Sequence, residues 1–335
     1  MSSRIRVLVI GAGTMGTVHS RAYTRLEDAE VVGIVDPFDF NPRLAIDLNV
    51  PQYRDLDDVP GSSYDVVDVS VPSRWHLPYV VEALRMKKSV FCEKPLALSL
   101  TEAEEMVATA MTNQARISVG HCVRFFPEYV EARSLVQSGA LGDIAVVRTF
   151  RGGAFPTAWN DWYANRNLSG GTLVDLMIHD FDFVRWVLGP VTRVYAKTTR
   201  REMNRIDFSL ATLRFASGAI AHLEGTWAHE HFGTRFEFAG SQGILQHDSF
   251  QEKPISITRT PEGGVALPQS GDLRSPYDLE IAHFIDAIRH DLPFRVTIED
   301  AYEALRIALA AESSAMTGVS IDLQPTTPAR GGVTL

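Results

Sequence analysis

The chain has 335 residues, 45% of them hydrophobic and 22% charged, with 24 Gly and 17 Pro; this is ordinary globular usage and enough length for two domains. Such a composition excludes a disulfide-held miniprotein, a collagen and a disordered tail. Lys plus Arg number 32 and Asp plus Glu 41, a formal charge of −9, so no broad cationic surface exists for a phosphate backbone or an anionic leaflet, and neither nucleic acid nor membrane is an expected partner.

No apolar run reaches the roughly 20 residues that span a bilayer. The first one ends at Ile10 in a glycine turn rather than a signal-peptide cleavage pattern, so a cytoplasmic location is expected. Cys92 and Cys122, the two cysteines, both follow strand-like runs and read as buried free thiols, too few for a cysteine-based metal site.

From Arg4 to about Cys122, short Val- and Ile-rich runs (5–10, 30–36, 64–71, 89–93, 116–120) alternate with amphipathic stretches (15–25, 42–48, 76–86, 101–111). Apolar runs of that length separated by helical periodicity predict βαβ units: a doubly wound parallel sheet of Rossmann type, with its ligand at the carboxyl ends of the strands. After Arg124 the pattern changes to a helix (127–138), a strand (144–151) and a loop rich in Gly, Trp and Asn. A helix over 172–188 comes next, stopped by Gly189 and Pro190. Strand-like runs (192–199, 207–215, 219–227, 235–239, 243–247, 255–258) joined by glycine turns precede two closing helices (277–289, 297–316). This predicts an α+β domain with a large open, mainly antiparallel sheet. The expected domains are therefore 1–122, 123–323 and a loose tail, 324–335.

Gly11-Ala12-Gly13-Thr14-Met15-Gly16 stands directly after the first strand and opens the first helix, the context in which G-x-G-x-x-G binds a dinucleotide. Gly11 permits the tight turn, Gly13 the close approach of a pyrophosphate, and Gly16 close packing of helix on strand. Asp36 ends the next strand 20 residues beyond Gly16, where a carboxylate accepts ribose hydroxyls of NAD and repels the 2′-phosphate of NADP. NAD is the expected cofactor and NADP the less favoured one; Arg43, the nearest cation, reads as a solvated helix residue or a grip on that phosphate.

Glu93-Lys94-Pro95 ends the fourth run. A lysine there is either exposed in a Pro-stopped turn or points into a cleft where it needs an anion, a hydroxyl or a nicotinamide. Asp175 and His179 are four apart and share one face of a regular helix, so the carboxylate can fix the imidazole's tautomer, although a buried histidine is often a satisfied core residue. A metal pair lacks a convincing third ligand, and no metal is expected.

Taken together, these segments, with His19, Val71-Pro72 and His76, Gly120-His121, Arg124-Phe125, and 170–179, resemble the glucose-fructose oxidoreductase, inositol dehydrogenase and MocA family of nicotinamide-dependent oxidoreductases. The resemblance implies that Lys94, Asp175 and His179 are catalytic. It implies that Gly11, Gly13, Thr14, Met15, Gly16, Asp36, Ser73, His76, Glu93 and Lys94 hold the cofactor, with Ser73 where many relatives carry Asn. Substrate contacts are expected from Trp159, Asn160, Trp162, Tyr277 and Arg124, the last equally suited to pairing with a carboxylate; Arg151 belongs to the same candidate loop. The expected reaction moves a hydride between NAD and a secondary alcohol of a cyclic polyol or sugar. The alternatives are an enzyme of a nucleotide-linked, anhydro or other modified sugar, and a non-catalytic NAD-binding regulator. An open sheet face implies a homodimer or homotetramer.

Overall fold

Val- and Ile-rich runs become strands because branched side chains pack well on a pleated surface, and strands covered on both faces need no polar alternation. A computed structural model describes residues 3–38, 41–201, 205–251, 254–259, 263–266 and 274–324. The chain divides into two units, the first comprising Met1–Phe125 and Arg274–Tyr302, the second Phe126–Leu273 and Glu303–Thr327.

In the first unit the succession is β1 (Ile5–Ile10), α1 (Thr14–Tyr23), β2 (Ala29–Val35), α2 (Pro42–Leu48), β3 (Gln52–Tyr53), β4 (Val66–Val69), α3 (His76–Arg85), β5 (Ser89–Cys92), α4 (Leu100–Asn113) and β6 (Ile117–Val119). The strands form one parallel sheet in the order β3-β2-β1-β4-β5-β6. The order reverses between β1 and β4, which opens a crevice at their carboxyl ends. The two-residue β3 carries no apolar run and was not expected.

The second unit contains α5 (Pro127–Gln137), β7 (Ile144–Ala154), α6 (Arg166–Ser169), α7 (Ile178–Leu188), β8 (Val191–Arg201), β9 (Ile206–Phe215), β10 (Ile220–Thr226), β11 (Ala228–Gly240), β12 (Gly243–Asp248), β13 (Ile255–Arg259) and β14 (Gly263–Ala266). Its sheet runs β14-β13-β12-β11-β7-β10-β9-β8, with β15 (Ile321–Asp322) at the far edge. Only β7 and β10 pair in parallel. Period-2 alternation turns Leu213, Leu223, Phe236 and Phe238 inward, while Tyr195, Leu210, Ile220 and Ile244 on the other face stay exposed. The expected tail lies, from residue 325 on, outside the described residues.

Three expectations are corrected. The helix expected over 277–289, α8 (Pro276–Arg289), belongs to the first unit rather than the second. A parallel sheet needs both faces covered, and Ile281, Phe284 and Ile285 of α8 join Ala22 and Tyr23 of α1 and Leu44 of α2 over Val7, Val9 and Phe91. The next helix, α9 (Ile298–Thr317), starts in the first unit and continues in the second. The continuous helix expected from Thr172 begins instead with a π-turn, Thr172–Leu176, closed by the Met177 N–H on the Thr172 carbonyl at 2.8 Å.

Arg151, expected in the substrate loop, is an internal residue of β7, 5% exposed. Its Nε donates to Asp180 Oδ2 on α7 at 2.7 Å and its Nη2 to the Tyr129 hydroxyl at 3.2 Å. Burial pushes the Asp180 carboxyl up, against the pull of Arg151. Replacing Arg151 by Met leaves a buried carboxylate uncompensated, which costs about 3–5 kcal/mol. A raised native pKa means that folding takes up a proton, so stability rises as the pH falls from the native value toward the unfolded one. Denaturant titration of Arg151→Met is expected to give its largest loss near pH 8 and a partial recovery near pH 5; a loss independent of pH would contradict the ion-pair role.

Candidate functional site

The first unit builds a candidate dinucleotide site on the turn after β1. Gly11 has φ +102°, and a Cβ there would lie 2.7 Å from the Ser70 carbonyl oxygen; one on Gly16 would lie 1.9 Å from the Gly11 carbonyl oxygen. No side chain fits at either position, so β1, the end of β4 and the start of α1 meet backbone to backbone. Gly13 differs: nothing stands within 4 Å of its missing Cβ. That space, at a helix start with no side-chain cap, suits an anion facing the free N–H groups of Thr14, Met15 and Gly16.

Asp36 sits at the carboxyl end of β2, 2% exposed, and its carboxylate accepts the Phe38 and Asn41 N–H groups at 3.3 Å each. Arg43 is 83% exposed at its side chain and pairs with Asp47 one turn on, at 3.4 Å, the solvated role. Ser73 is buried in the single turn before α3.

Two expected cofactor ligands turn out to face inward. His76 is fully buried, with Nδ1 2.9 Å from the Pro95 carbonyl oxygen and Nε2 3.0 Å from that of Val71. Each ring nitrogen faces a backbone carbonyl; a neutral ring donates to one and packs against the other, and in either tautomer His76 ties the loop after β4 to the loop after β5. Burial lowers its pKa. Glu93 is also buried: Oε2 accepts the Lys94 N–H at 2.9 Å, and Oε1 lies 3.3 Å from His19 Nε2. Lys94, half-buried at the end of β5, keeps the strand-end place expected of it.

Arg124 serves the pairing alternative. It is 1% exposed, with Nη1 2.9 Å from Asp300 Oδ2 and 3.0 Å from the Arg295 carbonyl oxygen. Tyr277, at the start of α8, is hydrogen-bonded with Cys122; that sulfur, burial and the Glu93 and Glu280 carboxylates push its phenol well above the usual tyrosine range. Both cysteines are buried thiols outside any disulfide.

In the second unit, Gly170 (φ +78°) and Gly171 (φ +70°) take left-handed conformations before the π-turn, and a Cβ on Gly170 would lie 2.5 Å from the Val174 Cβ. Thr172 anchors the turn by donating from Oγ1 to Asp207 Oδ1 at 2.9 Å. Asp175 is buried within it, while His179, in the first turn of α7, is half-buried. A π-turn inside a helix recurs at functional sites. Asp182, three residues past His179, is fully buried.

The aromatic loop forms a broken single-turn helix, Trp159–Ala164, with Asn160 and Asp161 left-handed (φ 48° and 51°). Asn160 lines an open hollow of about 600 Å³ together with Asp161, Arg166, Asn167 and Arg200. Trp159 and Trp162 are half-buried, and Trp162 stacks on Tyr163 with centroids 4.0 Å apart. Among the described residues no group of three or more His, Cys, Asp or Glu is arranged to hold a metal, and no helix is long and apolar enough to cross a membrane.

Comparison with known proteins matches residues 5–121 to the model of the oxidoreductase family with an NAD-binding Rossmann fold, and residues 129–246 to the GFO/IDH/MocA C-terminal domain. The chain is 30% identical to the 1,5-anhydro-D-fructose reductase of Ensifer adhaerens, over 78% of this chain and 80% of that protein. It is 27% identical to the myo-inositol 2-dehydrogenase of Thermotoga maritima, over 96% and 99%. The solved structure of GenD2 from gentamicin A biosynthesis, in complex with NAD, superimposes with a TM-score of 0.86 at 25% identity, over 97% of this chain and 98% of that one. The chain, an NAD(P)-dependent oxidoreductase, belongs to the GFO/IDH/MocA family.

Proposed function

We propose that this protein is an NAD-dependent dehydrogenase that moves a hydride between a secondary alcohol of a cyclic polyol, inositol-like, or a sugar and the nicotinamide. The observation that carries the reading is the pairing of an anion-ready glycine turn, open at Gly13, with a lysine at the carboxyl end of β5 in the same sheet. Asp36 accepts the ribose hydroxyls and disfavours a 2′-phosphate. Bound NAD supplies a hydride acceptor.

The remaining steps belong to the chain's own side chains. His179 takes the hydroxyl proton as general base, a task that suits imidazole near neutral pH. Lys94 hydrogen-bonds the same oxygen and stabilises its developing negative charge. Asp175 orients His179. In the reverse direction His179 returns the proton while Lys94 polarises the carbonyl. Asn160 and the aromatic loop supply substrate contacts; Arg124 and Tyr277 act by holding the framework of the first unit. The reductase relative favours a second reading, reduction of an anhydro or otherwise modified sugar, which uses the same residues. Two buried thiols outside any disulfide suit a reducing compartment, and the proposal places the reaction in the cytoplasm.

An initial-rate screen at the NADH absorbance band, with inositol isomers, aldoses, anhydrosugars and sugar acids, tests the reading. Turnover with NAD is expected on one polyol class, reduced about 10²- to 10³-fold in kcat by Lys94→Ala. Asp36→Ala is expected to shift the NAD-over-NADP ratio of kcat/KM by roughly tenfold or more toward NADP. Silence across the panel with NADH still bound would favour the non-catalytic regulator.

The face on which Tyr195, Leu210, Ile220 and Ile244 stay exposed is proposed to pair with a second copy: Ile244, Ala239, Val146 and Ile220 are register partners across four strands, and an apolar row of that kind is seldom left in water. Light scattering at micromolar concentration should give at least twice the chain mass; a monomer would rule the pairing out.

A further inference from the structure

Asp68 is the one charged residue of β4 and is fully buried. A strand covered on both faces offers an ionised carboxylate no water, so donors must meet it. Three do: the Tyr23 hydroxyl at 2.9 Å, the Ser70 hydroxyl at 2.7 Å and His19 Nδ1 at 3.1 Å. The far side of the same ring faces Glu93, with Nε2 3.3 Å from Oε1, an ion-pair contact rather than a well-aligned hydrogen bond. Glu93 Oε2 then accepts the Lys94 N–H at 2.9 Å. The carboxylate is also held by shape, since a Cβ on Gly120 would lie 3.1 Å from Oε1.

We propose that His19 is a positioning residue for Lys94: it ties Asp68 to Glu93, and Glu93 fixes the Lys94 backbone amide and thereby the turn that presents the amine. The proposal rests on the role given to Lys94 above and adds a residue that touches neither substrate nor cofactor. Ionised carboxylates at both nitrogens favour a proton on each, since a neutral ring would turn a lone pair toward one of them. Burial alone would lower its pKa, yet Asp68 and Glu93 outweigh burial and push it well above the ordinary histidine value. Of the other titratable groups around the two carboxylates, Tyr23, Cys92, Tyr277 and Glu280 bring no positive charge, and burial lowers the pKa of His76, which also feels Glu93. Phe91 meets the ring edge-on at 5.2 Å and keeps the assembly dry.

A purely structural role for His19 would alter stability everywhere; a positioning role alters the Lys94 turn first. Hydrogen exchange of His19→Gln, read on peptides covering 93–98 and 5–10, separates the two without a substrate. The Lys94 amide is expected to exchange at least tenfold faster while the β1 amides are unchanged and NADH affinity, read by fluorescence, stays within threefold. Equal loss in both peptides, or no change at Lys94, overturns the proposal. Should the variant not fold, nitrogen NMR of the wild type near pH 8 decides: two protonated ring nitrogens are expected, and a neutral ring overturns it. With a substrate found by the screen, His19→Gln is expected to lower kcat about tenfold or more at nearly constant KM. Unchanged kcat with a deprotected Lys94 amide would overturn the catalytic consequence. A silent screen defeats the reading of Lys94 and leaves the exchange result to stand or fall by itself.

Discussion

Backbone has to touch backbone where β1 hands over to α1. Gly11 lies against the carbonyl of Ser70, and Gly16 against the carbonyl of Gly11, so the first unit exists in this form only while neither carries a side chain. That crowding aims the start of α1 into the crevice beside Gly13 and brings the end of β4 up against the turn. Ser70, pressed there through its main chain, donates its hydroxyl to Asp68. From Asp68 a line of buried polar contacts runs through His19 and Glu93 to the Lys94 amide. A steric requirement at two glycines is thus continuous with the placement of the side chain proposed to stabilise the reacting oxygen.

Much of this was legible in the sequence because the physical signals are local. A glycine turn between a Val-rich strand and a helix, an acid at the end of the next strand and a lysine ending another are contiguous patterns, and each occupies the place that the pattern predicts. What stayed hidden depends on partners far apart in the chain. His76 looks like a ligand until the Val71 and Pro95 carbonyls are seen to face its two nitrogens. Glu93 looks like an active-site acid until His19 and Gly120 surround it. Arg124 could not be assigned until Asp300, 176 residues away, closed on it. Asp68 was visible as a charge in an apolar strand, but nothing local named the residues that compensate it.

The division of the chain is hidden from the sequence for a related reason. Helical periodicity marks Ile281, Phe284 and Ile285 as a buried stripe but does not say which sheet buries it. Proximity in sequence favoured the second sheet; the uncovered face of the first one took the helix. Periodicity is equally blind to the π-turn at Thr172–Leu176, since every residue from Thr172 to Ile178 is buried and no polar face marks where the phase shifts. The left-handed Gly170-Gly171 pair leads directly into that turn.

In the proposed reaction, hydrogen bound to carbon leaves an alcohol and arrives on the nicotinamide. This transfer is tested most directly by supplying NAD with inositol deuterated at every ring carbon and weighing the reduced cofactor by mass spectrometry. Direct transfer predicts NADH heavier by one deuterium, with the label on the nicotinamide ring. Reduced cofactor that carries no deuterium would contradict the account.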